Sequence, residues 1–204
     1  MPSQLHPSPA RNVQDSEPGR IRAAKQERST HRQQRIADAA VSVIARHGIA
    51  GVTHRLVARQ ANVSLAATTY YYQTKQDIIA DASRQLLTGY VDAFRRFAER
   101  HRDQPEVSFR DFAMRLVTNA AGKHRAGTLA WCEIILDCAQ HPEMRELARN
   151  WFANLAETWR DIARTLRVAD PRDLLPSAID IVIGLLFVVV PLGITEAEAA
   201  VVLV

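Results

Sequence analysis

The chain has 204 residues, 47% of them hydrophobic and 24% charged, and a net charge of +4. That composition suits a globular chain with a sizeable core and excludes one that is disordered throughout. Its two cysteines, Cys132 and Cys138, diverge on a helix at a spacing of six, so neither a disulfide framework nor a zinc-ligand spacing is present.

Charge is unevenly shared. Residues 1–75 hold eleven Arg and Lys against four acids, and the rest holds fifteen against eighteen. A basic front and a slightly acidic back suit a front that meets a polyanion, although a solvated basic helix face has the same signature. Near the first residues there is no apolar segment of the secretory kind. The longest uncharged apolar run, Ile181 to Ile194, has 14 residues and contains Pro191. A membrane span needs about 20. The expected setting is therefore the cytoplasm, with no membrane partner.

Residues 1–28 contain Pro2, Pro7, Pro9, Pro18 and Gly19 with scattered charge, and read as a disordered basic arm. Helical period begins near Thr30: Ile36, Ala40, Val43, Ile44 and His47 share one face, and Gly48 closes it. Thr53 can cap a second helix carrying Leu56, Val57 and Ala61 inward. Asn62-Val63 makes a tight turn, and Ser64 caps a third helix. Thr74 opens a fourth, with Asp77 placed for a capping box, running to about Arg100. Further helices follow: one through Phe109, Phe112, Leu116 and Val117, one over Thr128 to Gln140 with Leu129, Cys132, Ile135 and Leu136 inward, and one from Pro142 to about Val168. A last, very apolar helix covers about 172–190. No segment alternates like a strand. The fold class is all-α: a three-helix helix-turn-helix unit over 29–75, a linking helix of about 74–100, and a larger bundle within 76–204.

The segment from Val52 to Lys75 carries the functional signal. Its second short helix has no acid, two threonines and a run of three tyrosines, and Lys75 follows. Hydroxyls, small residues and no negative charge suit a surface laid against phosphates and base edges. In a helix-turn-helix the N-terminal half of the second helix reaches base edges, which makes Leu65, Ala66, Thr68 and Tyr70 the candidates. Thr53, His54 and Arg55 open the preceding helix, where amides and side chains can clamp a phosphate. Ser64 and Thr53 equally well serve as caps alone.

The stretch from Arg35 to Leu87 resembles the DNA-binding domain of the tetracycline-repressor (TetR) family. The family's turn and recognition helix read Gly-Val-Ser-x-x-Thr-Leu-Tyr-x-His/Tyr-Phe-x-x-Lys, and here Asn62 to Lys75 occupy those places. Asn62 stands for Gly, Ala67 for Thr and Thr69 for Tyr, closer to a branch with a Thr-Thr-Tyr-Tyr-Phe core. The resemblance implies phosphate contacts from Thr69, Tyr71 and Lys75, with Tyr72 in the core. It also implies a C-terminal domain that binds a small effector and forms a homodimer through two helices per subunit, here about 142–168 and 172–190. The expected partner is a near-palindromic duplex operator, and the expected activity is ligand-responsive regulation of transcription, as a repressor.

Pocket candidates in the bundle are Phe94, Phe112, Met114, Leu116, Trp131, Trp151 and Trp159, with His124, Glu133 and Asp137 as polar anchors. The apolar set suits a small hydrophobic effector. No cofactor and no metal are expected, and none of the usual catalytic or nucleotide-binding motifs is present, so an enzyme is not expected. The competing reading is a helical adaptor that binds proteins without DNA sequence specificity.

Overall fold

The computed structural model describes residues 17–104, 107–138, 140–168, 180–188 and 190–193. Those residues contain helices and turns and no strand. The chain divides into two compact units, Met1–Arg35 and Ile36–Val204.

Helix α1 covers Glu17–His47. It begins well before Thr30, so residues 17–28 of the expected disordered arm are helical, and residues 1–16 lie outside the described residues. The run Ala23-Ala24-Lys25-Gln26-Glu27-Arg28 consists of strong helix formers, and Glu17 sits in the first turn where the helix dipole favours an acid. Pro18 does not prevent a helix, because the first helical turn tolerates proline.

Within Ile36–Val204, α2 (His54–Ala61) and α3 (Leu65–Tyr71) follow as short helices. Gly48 ends α1 at φ +64°, the left-handed turn that favours glycine. Asn62 ends α2 at φ 53°, and asparagine is the residue that best replaces glycine there. Thr53, Ser64 and Thr74 each cap the next helix through a side-chain oxygen accepting a backbone N–H. The bundle continues with α4 (Lys75–Arg100), α5 (Phe109–Ala121), α6 (Arg125–Asp137), α7 (Pro142–Thr165) and a helical stretch over residues 180–188.

Two hydrophobic clusters hold this unit together. The first joins Ile36, Val43, Ile44, Val57, Tyr72 and Ile78 to Ala130 and Ile134 of α6, Cys138 just after it, and Met144 of α7. The second gathers Phe94, Phe112, Trp131, Trp151, Leu155, Trp159 and Ile162. Helix α6 contributes to both, with Ala130 and Ile134 on one side and Trp131 and Cys132 on the other. His47, read as inward, is exposed, as is Leu136. Each lies at the end of its helix, where the periodic face runs past its partners.

Candidate nucleic-acid interface and effector pocket

Helix α3 is held by its ends. Ser64 Oγ accepts the Ala67 N–H at 3.1 Å, and the Tyr72 N–H closes the last turn on the Thr68 carbonyl. Tyr72 is buried, and its hydroxyl donates to Asp81 Oδ2 at 2.6 Å. His54 Nε2 donates to the Tyr72 carbonyl at 3.0 Å, tying the start of α2 to the end of α3. The two short helices are therefore pinned to each other and to α4 by hydrogen bonds as well as by packing.

This framework sorts the expected contact residues. Ser64, Leu65, Ala66, Thr69 and Tyr70 are exposed, Tyr70 at 81%. Tyr71 is half-buried, its ring edge-on to Tyr70 at 5.1 Å. Thr53 and Arg55 are exposed at the start of α2. Thr68 is a correction: it is fully buried, on the inner side of α3, and cannot meet a base edge. Its hydroxyl finds no hydrogen-bond partner. His54 is also committed, its ring N–H being spent on the Tyr72 carbonyl. Thr69 is exposed, but its hydroxyl donates back to the Leu65 and Ala66 carbonyls at 3.2 Å each, so a phosphate would have to compete for that proton.

Lys75 opens α4, half-buried, with Nζ donating to the Ala50 carbonyl at 3.4 Å. Its charge is thereby held beside the turn that leads into α2. The neighbouring acid is occupied elsewhere. Asp77 accepts the Thr74 N–H at 2.8 Å while Thr74 Oγ1 accepts the Asp77 N–H, a complete capping box. Those bonds from Thr74 hold the Asp77 carboxyl below the usual carboxylate range. The result is an exposed rod without acids, flanked by the starts of α2 and α4. Such a rod can present hydroxyls, methyls and a phenol to a groove, and amides and a lysine to phosphates.

The second cluster contains an apolar space, partly open to solvent. Of the expected residues, Phe94, Leu116, Trp131, Trp151 and Trp159 line it. Phe112 stands behind the wall, edge-on to Phe94 at 5.5 Å and to Trp159 at 5.3 Å. Met114 is half-buried outside the lining. The expected polar anchors are not there. His124 is exposed at the start of α6. The exposed Glu133 points toward the end of α1, where a Cβ on Gly48 would lie 3.1 Å from its Oε2. Asp137 Oδ2 lies 3.0 Å from His141 Nδ1, and Asp137 borders a separate crevice with Lys75, Gln76 and Met144. Being one helical turn apart put Glu133 and Asp137 on one face of α6, but that face looks away from the aromatic space.

Tyr90 and Thr128 were not expected in the lining. The Tyr90 hydroxyl lies 3.2 Å from Thr128 Oγ1, and burial pushes its pKa up to about 12. The available signal was Tyr90 and Phe94 at i, i+4 on α4, whose rings stack at 6.3 Å. Among the described residues, no group of His, Cys, Asp or Glu could hold a metal ion, and no helix is long and apolar enough to cross a membrane.

Comparison with known proteins bears on both sites. Residues 36–82 match the model of bacterial regulatory proteins of the tetR family, and residues 106–204 match a tetracyclin repressor-like C-terminal domain. A TetR-family structure from Streptomyces coelicolor A3 is 30% identical, covering 84% of this chain and 95% of that one, with a TM-score of 0.60. The multidrug binding protein EbrR, solved with ethidium, is 32% identical over 84% of this chain and 95% of its own, with a TM-score of 0.57. The nicotine-responsive transcriptional repressor HdnoR of Paenarthrobacter nicotinovorans is 26% identical over 69% of this chain and 70% of its own. The chain belongs to the TetR family of DNA-binding transcriptional regulators.

Proposed function

We propose that this regulator is a non-enzymatic, ligand-responsive repressor that binds a near-palindromic duplex operator as a homodimer and releases it when an apolar effector enters the bundle. The observation that carries the reading is the exposed, acid-free face of α3, with Leu65, Ala66 and Tyr70 outward between two capped helix starts. Base readout falls to those three residues. Thr69, Tyr71, Lys75, Thr53 and Arg55 hold phosphates, and Ser64 and His54 position the reading helix.

Dimerisation follows from what one such helix can read. Two helices related by a twofold match two half-sites about 34–36 Å apart, or a multiple of this. Large apolar side chains exposed on α7 and residues 180–188, namely Phe152, Ile181 and Val188, support those helices as the subunit interface.

The aromatic wall of Phe94, Trp131, Trp151 and Trp159 supports a flat, hydrophobic effector of modest size. The relative EbrR was solved with ethidium, a flat aromatic cation, which favours a flat aromatic effector here. Helix α6 supplies the route from effector to DNA. Trp131 and Thr128 border the space, while Ala130, Ile134 and Cys138 seat in the cluster beneath α1, α2 and the start of α4. A ligand that wedges against Trp131 biases the seat of the reading helix. A coupling of about 1–3 kcal/mol is typical of such linked sites.

The test is to select bound fragments from the source genome with full-length protein. A recovered near-palindrome whose binding weakens with rising salt, at a log–log slope of about −0.9 per phosphate, supports the reading. Recovery of random fragments, or an affinity indifferent to salt, ends it in favour of a protein-binding adaptor.

A further inference from the structure

We propose that the part of α1 preceding Ile36 carries a second duplex-docking surface, a one-sided basic face that grips phosphates beyond those held by α2, α3 and Lys75. The proposal rests on the DNA-binding reading above and extends it to a segment that the family match over residues 36–82 does not cover.

Residues 17–35 hold six Arg and Lys against two Glu. At the 100° per residue of an α-helix, Arg20, Lys25, Arg28, His31, Arg32 and Arg35 fall within an arc of about 140°. All six are exposed. Arg22 stands off this face, and Glu17, at the very start, is the single acid on it. Along the axis the face runs from Arg20 to Arg35, about 22 Å at 1.5 Å per residue.

A solvated helix face ordinarily mixes signs, because Glu and Lys one turn apart stabilise each other. Glu17 stands one turn from Arg20 and Glu27 one turn from His31, but along the middle of the face Lys25 with Arg28, Arg28 with Arg32, and Arg32 with Arg35 are like charges at i, i+3 or i, i+4. Like charges at that spacing destabilise a helix. Burial does not explain them, since no described side chain of residues 17–35 is buried. A ligand that relieves the repulsion along the whole face must itself be a regular polyanion. Duplex DNA, with a charge per about 1.7 Å of axis, is such a ligand. A membrane surface fits less well. Such a helix needs a broad apolar face, and Ile21 is the one large apolar side chain exposed among the described residues 17–35.

The experiment compares full-length wild type with the variant R20Q/K25Q/R28Q/R32Q on the selected operator, alone and with flanking duplex on both sides. The charge-retaining variant R20K/R28K/R32K controls for folding, as does helix content by circular dichroism. Wild type should bind the flanked duplex more tightly than the bare operator. The Gln variant should lose that advantage and at least tenfold in affinity, with a salt slope shallower by about 0.9 per contact removed. The Lys variant should keep both, and sequence preference should be unchanged in each. Wild-type affinity and slope in the Gln variant, with Lys75→Ala still weakening binding, overturn this proposal and leave the DNA-binding reading intact. Failure of wild type to bind any duplex overturns both. Charge-dependent binding to vesicles of phosphatidylserine and phosphatidylcholine, with no effect of the Gln changes on DNA, overturns this proposal in favour of a membrane surface.

Discussion

The Tyr72 hydroxyl donates a 2.6 Å hydrogen bond to Asp81, and so fixes the end of the reading helix to the second turn of α4. Both side chains are buried, and Asp81 also takes a 3.2 Å contact from Arg84. A hydrogen bond to a charged group contributes about 1.5–3 kcal/mol. Tyr72→Phe keeps the ring and removes the donor, so it should lower stability by about that amount in urea titration. Because the bond aligns α3 without touching DNA, operator affinity should also fall while the preferred sequence stays the same. A Tyr72→Phe protein of unchanged stability would remove this bond from the account.

Thr68 and Tyr70 separate the inner from the outer side of α3. Thr68 is fully buried with an unpartnered hydroxyl, so Thr68→Val replaces a desolvated polar atom by a methyl of similar volume. It should hold or raise the melting temperature and leave operator affinity within about twofold, against the roughly tenfold that 1.4 kcal/mol represents. Tyr70→Ala should do the reverse, with little change in melting and a clear loss in discrimination between operator and scrambled duplex. Paired melting curves and binding titrations check both.

The capping box at Thr74 and Asp77 makes a pH-dependent prediction. Hydrogen bonds from Thr74 lower the Asp77 carboxyl below its usual range, and the same arrangement with Ser108 lowers Asp111. A carboxylate depressed in the folded state contributes stability above its unfolded pKa, and that contribution disappears as pH falls through the folded value. Stability should therefore decline below about pH 4, near the ordinary Asp value. The decline should be shallower in a Thr74→Ala, Ser108→Ala double variant, measured by denaturant midpoint against pH. Each cap removed should cost about 0.5–2 kcal/mol at neutral pH.

Tyr90 titrates in the opposite direction. Burial raises its pKa to about 12, so the folded state favours the neutral phenol. The benefit is complete below the ordinary tyrosine value of about 10 and is lost as pH rises through the folded value. Stability should fall between about pH 10 and 12, and Tyr90→Phe should flatten that limb. Cys132, pushed up from about 9 to about 11 by burial, lowers stability over a window that begins earlier and overlaps this one, so Cys132→Ser is the control background. The native protein should also react slowly with a thiol reagent at pH 8, since both cysteines are buried and burial raises both thiols.

How far the sequence reached depends on which interaction decided each feature. Caps at Thr53, Ser64 and Thr74 and the apolar faces of α4, α5 and α7 were legible because their causes are local and periodic. The start of α1 was not. Prolines suggested disorder, while the Ala-Ala-Lys-Gln-Glu-Arg run carries its own helical propensity. Thr68 was misplaced by its chemistry: a threonine suits a thymine methyl, but it stands where the family pattern has leucine, a core position. The aromatic half of the pocket was legible as bulky residues on facing helices. Its Tyr90–Thr128 pair was not, because it forms between two helices whose paired residues stand 38 apart in sequence. Glu133 and Asp137 were assigned to the pocket from their shared face, and only the rotation of α6 about its axis decides which way that face looks.

The most direct measurement is a side-by-side titration of wild type, Lys75→Ala and Tyr70→Ala against the selected operator and a scrambled duplex at several salt concentrations. Lys75→Ala should weaken both duplexes equally and reduce the salt slope by about 0.9, as loss of one phosphate contact requires. Tyr70→Ala should keep the slope and erase part of the difference between the two duplexes. If Tyr70→Ala leaves that difference whole while Lys75→Ala leaves the slope unchanged, the outward face of α3 is not the DNA-reading surface.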